Sequence, residues 1–177
     1  MVTMGIDAST NKTGWSIFKD NKLIDYGVIE PTNPKDEWRN RIRTIMPQLA
    51  NIIDKYNPNI AYVEDVPLML NGGRKTLVIL GAVQGSIIGL FSSRYIPVEF
   101  IPVSTWRSAL NLFTGKKEDT KREHMKQSSI EYANKIFEIN LKWVSPSSKK
   151  NEDDIADAIN VCWSQIKPKS NRGFNKE

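Results

Sequence analysis

The chain has 177 residues, 40% hydrophobic and 25% charged, which is enough to bury a core of its own. Its net charge of +5 favours a polyanionic partner. One cysteine and one histidine exclude an internal disulfide and a Cys-rich zinc site, and argue against a multi-His metal centre or a Ser-His-Asp triad. Chemistry is left to carboxylates, lysines and arginines. Asp7 falls where a secretory signal needs apolar residues. The longest apolar run, residues 76–91, is read as too short for a bilayer and carries Gln84. A cytoplasmic protein with no membrane partner is expected.

Three short extended segments come first, VTMGIDA, TGWSIFK and KLIDYGVIE, separated by turn signals, and they predict a β-meander. Residues 36–56 place Trp38, Ile42, Ile45, Leu49 and Ile52/Ile53 at helical spacing. IAYVEDV reads as a buried strand, residues 74–94 as a long helix and IPVEFIPV as a further strand. Helices follow over residues 104–110, 120–139 and 152–166, and a polar, basic tail occupies 167–177. The expected organisation is a domain over 1–166 and a disordered tail. The order βββ-α-β-α-β-α…α predicts an α/β fold with a ribonuclease H-like mixed five-stranded sheet, meander then parallel strands, flanked by helices.

Three places carry acids that solvation explains poorly. Asp7 ends the first strand; alone, it reads equally well as a turn former. Glu64 and Asp65 end the fourth, and alternation puts one of them on the face of Tyr62 and the other on the face of Val63. The third is NEDDIADAIN, where Glu152, Asp153 and Asp154 also suit a helix N-terminus. At about 100° per residue, Ile155, Ala158, Ile159, Cys162 and Ile166 form the core stripe. Asp153 falls on the polar side with Asn160 and Ser164. Asp154 lies inside the apolar arc, where an acid needs a partner, and Asp157 sits one turn above it. Asp154 is the better candidate and Asp157 follows. In the predicted topology strands one and four are neighbours, so Asp7, Glu64, Asp154 and Asp157 can meet. Carboxylates without His or Cys suit Mg²⁺ or Mn²⁺, and two such ions can drive phosphodiester cleavage.

GIDASTNKTGW, YVEDVP and DDIADAIN, in this order over nearly the whole chain, resemble the RuvC family of Holliday-junction resolvases. The family pattern selects Glu64 over Asp65 and Asp154 with Asp157 over Asp153. The resemblance implies a homodimer that recognises a four-way junction and makes paired nicks with Mg²⁺, leaving ligatable ends. DVPLMLNGGRKT lacks the aromatic that cellular members carry soon after the second acid, and the segment 111–143 is Lys-rich and divergent. Both fit a bacteriophage-type member with relaxed specificity, acting in the host cytoplasm.

Basic residues supply the DNA contacts expected of such a protein. Arg74 and Lys75 open a helix after NGG, where amides and cations suit phosphate. Lys116, Lys117, Lys121 and Arg122 form a DNA-facing loop, and Arg107 is placed to reach the scissile region, while Trp106 reads as core and His124 as surface. Gly81, Gly85 and Gly89 recur on one helix face, which permits close packing within the chain or across a dimer; the resemblance favours the dimer. Rival readings are a same-fold nuclease acting on flaps, forks or structured RNA, and a non-catalytic branched-DNA-binding protein. A sugar-kinase or actin-like ATPase also opens with a GID-type strand, but 177 residues are too few for its two domains.

Overall fold

The first three strands form because their apolar residues alternate and their turns suit reversal. They are β1 (Val2–Asp7), β2 (Thr13–Lys19) and β3 (Lys22–Ile29), joined as an antiparallel meander. Asp20 and Asn21 both take positive φ, 50° and 65°, which is the two-residue hairpin geometry. The structure, a computed structural model, describes residues 1–65, 73–113 and 121–168. From residue 169 onward the expected tail lies outside them.

The remaining elements are α1 (Trp38–Tyr56), β4 (Ile60–Asp65), α2 (Gly73–Ser92), β5 (Val98–Pro102), α3 (Val103–Ala109), α4 (Arg122–Phe137) and α5 (Asp153–Ile166). The sheet order is β3-β2-β1-β4-β5, with β4 parallel to β1 and β5 parallel to β4. The mixed five-stranded sheet matches the fold expected from the element order.

The pleat divides the sheet into two faces. Met4, Ile6, Ala61 and Val63 face α1 and α2, where Leu49, Ile53, Val83, Ile87 and Phe91 complete one core. Thr3, Gly5 and Asp7 face the other way, towards α5. Phe18 packs there with Ile155, Ile159, Cys162 and Ile130, and Val161 packs with Ile101 and Trp106.

Two glycines set how deeply α5 sits. A Cβ on Gly5 would lie 2.0 Å from the Ala158 carbonyl oxygen, and one on Gly14 would lie 1.8 Å from the Asp154 carbonyl oxygen. The first two turns of α5 therefore rest directly on the backbone of β1 and β2.

The apolar run read as too short for a bilayer forms a helix of 20 residues, because Gly73, Arg74 and Lys75 extend it at one end and Ser92 at the other. By length and composition α2 is long and apolar enough to cross a membrane, with a mean hydropathy of 1.5. One side of it packs in the sheet core through Val83, Ile87 and Phe91. Its opposite side is open: a Cβ on Gly81, Gly85 or Gly89 would meet nothing within 4 Å. Among the described residues, nothing uses their close-packing face.

Gly14→Ala is expected to lower stability by roughly 1–3 kcal/mol, because α5 must lift off β2. A thermal melt matching wild type would contradict that packing account.

Candidate active site

Asp7, Glu64, Asp154 and Asp157 line one cavity of about 230 Å³, together with Asp153, Trp106, Arg107, Arg122 and Lys126. The sheet makes this possible. Ile6 pairs with Val63 in the parallel β1–β4 ladder, so Asp7 and Glu64 follow side by side at the same sheet end. Glu64 shares the face of Tyr62, which packs against α5 and α3. Asp65 points to the opposite face, where Gln84 of α2 donates to its Oδ1 at 2.9 Å. Asp154 and Asp157 come from the first turns of α5, held over Asp7 by the Gly5 and Gly14 contacts.

Burial is the main cause that raises each carboxyl above its ordinary range. Asp7 is raised well above it, by burial and then by Glu64, Asp157, Asp154 and Asp153. Burial pushes Glu64 up to about 8, with Asp157 adding to it and the Trp106 hydrogen bond and Arg107 opposing. Burial likewise pushes Asp157 up to about 7 against the Ser129 hydrogen bond and Arg107. Asp154 is raised by burial and Asp153, opposed by Lys126 and Lys12.

Neutral donors orient two of these acids. Trp106, fully buried, donates its Nε1–H to Glu64 Oε2 at 3.1 Å. Ser129 Oγ donates to Asp157 Oδ1. Asn160 Nδ2 donates to Ser129 Oγ at 3.1 Å and to its carbonyl at 3.0 Å. Arg107 Nη1 approaches the same Oγ at 3.5 Å. A hydroxyl facing two N–H donors has its single proton left for the carboxylate.

Several expectations shift. Asp153 and Asn160 are buried, 5% and 0% exposed, because α4 covers the side of α5 that the helical spacing marks as polar. Lys126 of α4 pairs with Asp153 there. Arg107 lines the cavity but is 2% exposed. Its Nη2 donates to Ser128 Oγ at 2.7 Å and to the Met125 carbonyl at 3.1 Å. It forms a fixed positive wall of the cavity, held inward by α4. Arg122 lines the cavity and Lys121, next to it, is exposed. Arg74 and Lys75 are exposed at the start of α2 and do not line it. Lys116 and Lys117 lie outside the described residues, as does the aromatic-free stretch after Asp65. Ser129 and Lys126 escape the sequence reading; its one trace is a Ser-Ser pair inside a helix, where serines otherwise weaken it.

The donor set fits hard divalent cations: oxygen ligands only, and crowded acids whose mutual repulsion a cation relieves. Among the described residues no three acids are arranged as a ready ion cage. Glu64 is turned to Trp106 and Asp157 to Ser129, and each of those bonds uses one carboxylate oxygen.

The family described as Lactococcus phage M3 protein matches residues 2–164, and the chain is a member of it. The crossover junction endodeoxyribonuclease RuvC of Rickettsia felis is 30% identical over 168 residues, covering 92% of this chain and 96% of the relative. The chain belongs to the RuvC family. RuvC of Ehrlichia canis is 29% identical over 175 residues, covering 97% of this chain and 99% of the relative. Thermus thermophilus RuvC, solved in complex with Holliday junction substrate, superposes with a TM-score of 0.65 at 16% identity, covering 93% of this chain and 91% of that one. The yeast mitochondrial Holliday junction resolvase Ydc2 gives a TM-score of 0.52 at 16% identity, covering 92% and 77%. At such identities the likeness concerns the fold, the ribonuclease H-like sheet of the RuvC family.

Raised carboxyls hold protons more tightly folded than unfolded, so the folded state loses stability as pH rises from about 4, the unfolded value, through about 7 and 8 for Asp157 and Glu64. In EDTA, Asp7→Asn is expected to stabilise the chain by on the order of 1–3 kcal/mol at pH 8 and to change little at pH 4. Thermal melts at the two pH values check it.

Proposed function

We propose that the chain is a divalent-metal-dependent endonuclease that nicks four-way junction DNA in symmetric pairs. The observation that carries this is the meeting of Asp7, Glu64, Asp154 and Asp157 around one cavity in a RuvC-family chain of net charge +5. Those four acids would hold Mg²⁺ or Mn²⁺, with two ions proposed. Bound there, the metal would supply an activated water and neutralise charge on the leaving oxygen.

The chain's own residues have separate tasks. Trp106 and Ser129 fix one oxygen each of Glu64 and Asp157, which leaves the second oxygens to face the cavity. Arg107, locked onto α4, offsets the charge of both acids. Arg122 and Lys126 at the lining draw a phosphate towards an otherwise acidic pocket. Lys121, Arg74 and Lys75 add exposed positive charge, and we assign them, with Lys116 and Lys117, to DNA contact. Hydrolysis breaks the bond between phosphorus and the leaving 3′ oxygen, giving a 5′ phosphate and a 3′ hydroxyl, which ligase can rejoin.

Paired nicks need two sites, and the open side of α2 offers a place for a second copy. Val78, Gly81, Gly85 and Ile88 lie there at helical spacing, with Val78 59% and Ile88 46% exposed. Ile88→Arg is expected to halve the mass seen by light scattering and to turn paired nicks into single ones. A wild-type monomer would refute this arrangement.

The decisive assay compares labelled junction, fork, flap and linear duplex, with Mg²⁺ or EDTA. Wild type is expected to nick the junction symmetrically only with metal. Asp7→Asn is expected to bind the junction while cutting it at least about 100-fold more slowly. Unchanged cutting by Asp7→Asn would sink the metal assignment, and preferred cutting of forks or flaps would reassign the substrate.

A further inference from the structure

A larger groove, of about 930 Å³, opens beside the carboxylate cavity. The two are continuous, since Arg122, Lys126, Asp153 and Asp154 line both. One wall is the turn between β1 and β2, with Ser9 and Lys12; the other is the segment leading into α5, with Ser148 and Lys149.

Both walls are built by internal hydrogen bonds. Ser9 Oγ accepts from the backbone N–H groups of Asn11 at 3.1 Å and Lys12 at 3.0 Å. Asn151, 3% exposed, accepts from the Val144 N–H and donates to the Ser145 carbonyl, both at 2.8 Å. Lys12 joins the walls: its Nζ donates to the Lys149 carbonyl at 2.8 Å and lies 3.3 Å from Glu30 Oε1. A groove held this way is preorganised, so a ligand need not order it on binding.

The cavity, at about 230 Å³, is a quarter the size of the groove. A phosphodiester chain with one phosphate in the cavity must therefore leave it, and the groove is a continuous exit whose lining sets Lys12, Arg122, Lys126 and Lys149 against Glu30, Asp153 and Asp154. Lys and Ser contact phosphates without reading bases, which suits a strand of any sequence.

We propose that this groove holds the DNA strand continuing from the scissile phosphate, with its backbone on Lys12, Lys149 and Ser148. The inference rests on the endonuclease reading above. Lys12 follows Asp7 within GIDASTNKTGW, and Lys149 comes from a segment that shows no phosphate motif.

The test uses the full chain and a labelled four-way junction in EDTA, with affinity read by fluorescence anisotropy over a range of salt. Lys149→Glu is expected to weaken binding about 3- to 10-fold and to reduce the slope of log affinity against log salt by about one. Lys22→Glu is the matched control, because the β2–β3 turn lies at the opposite end of the sheet from Asp7. Junctions whose strand is cut short on the 5′ or the 3′ side of the nick site complete a thermodynamic cycle. Shortening one side is expected to erase the difference between wild type and Lys149→Glu. An equal loss from Lys22→Glu, or a difference that survives both truncations, overturns the groove. Nicking by wild type with Mg²⁺ is followed in parallel. Nicking without coupling removes the groove alone, whereas no nicking removes the function on which it rests.

Discussion

Like charges forced together in a poorly solvated place are the constraint around which this structure is organised. Asp7 faces Glu64, Asp157, Asp154 and Asp153, and burial raises its carboxyl before any neighbour does. Nothing in ordinary folding rewards such an arrangement, since each buried acid disfavours the next. The fold nevertheless enforces it through close backbone packing. Gly5 and Gly14 let α5 touch the backbone of β1 and β2, and any larger residue would collide with a carbonyl of α5. Close packing thus holds together what electrostatics pushes apart, and a divalent cation is the natural relief.

The surrounding residues moderate the repulsion without cancelling it. Trp106 and Ser129 stabilise ionised Glu64 and Asp157 through neutral hydrogen bonds, and Arg107 contributes charge from a fixed position. Lys126 is engaged with Asp153, the acid at the edge of the cluster. Cations therefore stand at the rim while the centre stays acidic. That gradient suits a polyanion that must approach carboxylates: positive charge receives the phosphates, and metal at the centre accepts one of them.

Much of the fold was legible in the chain. Alternation in VTMGIDA and TGWSIFK, the Asp20-Asn21 turn and the apolar stripe of α5 each specify their element locally. Other readings failed for want of neighbours. Asp153 and Asn160 fall on the polar side of α5 by spacing, yet α4 buries that side and supplies Lys126 and Ser129 as partners. Arg107 reads from the sequence as a cation placed to reach the scissile region, and only the fold shows that α4 holds it through the Met125 carbonyl and Ser128. The glycine face of α2 was open to two uses, and only the assembled fold shows that no described residue of the chain packs on it.

The acids, their strand and helix positions and the order of the elements are legible from the residues alone, because periodicity and turn chemistry act over a few residues. Alternation alone also separated Glu64 from Asp65. Which of them faces α5 was decided by tertiary structure, since a pleat has two faces and only the packing of Tyr62 against α5 tells them apart. The groove beside the cavity is likewise a tertiary product. Lys12 and Lys149 are 137 positions apart, and only the closure of the sheet end under α5 brings one side chain to the other's carbonyl.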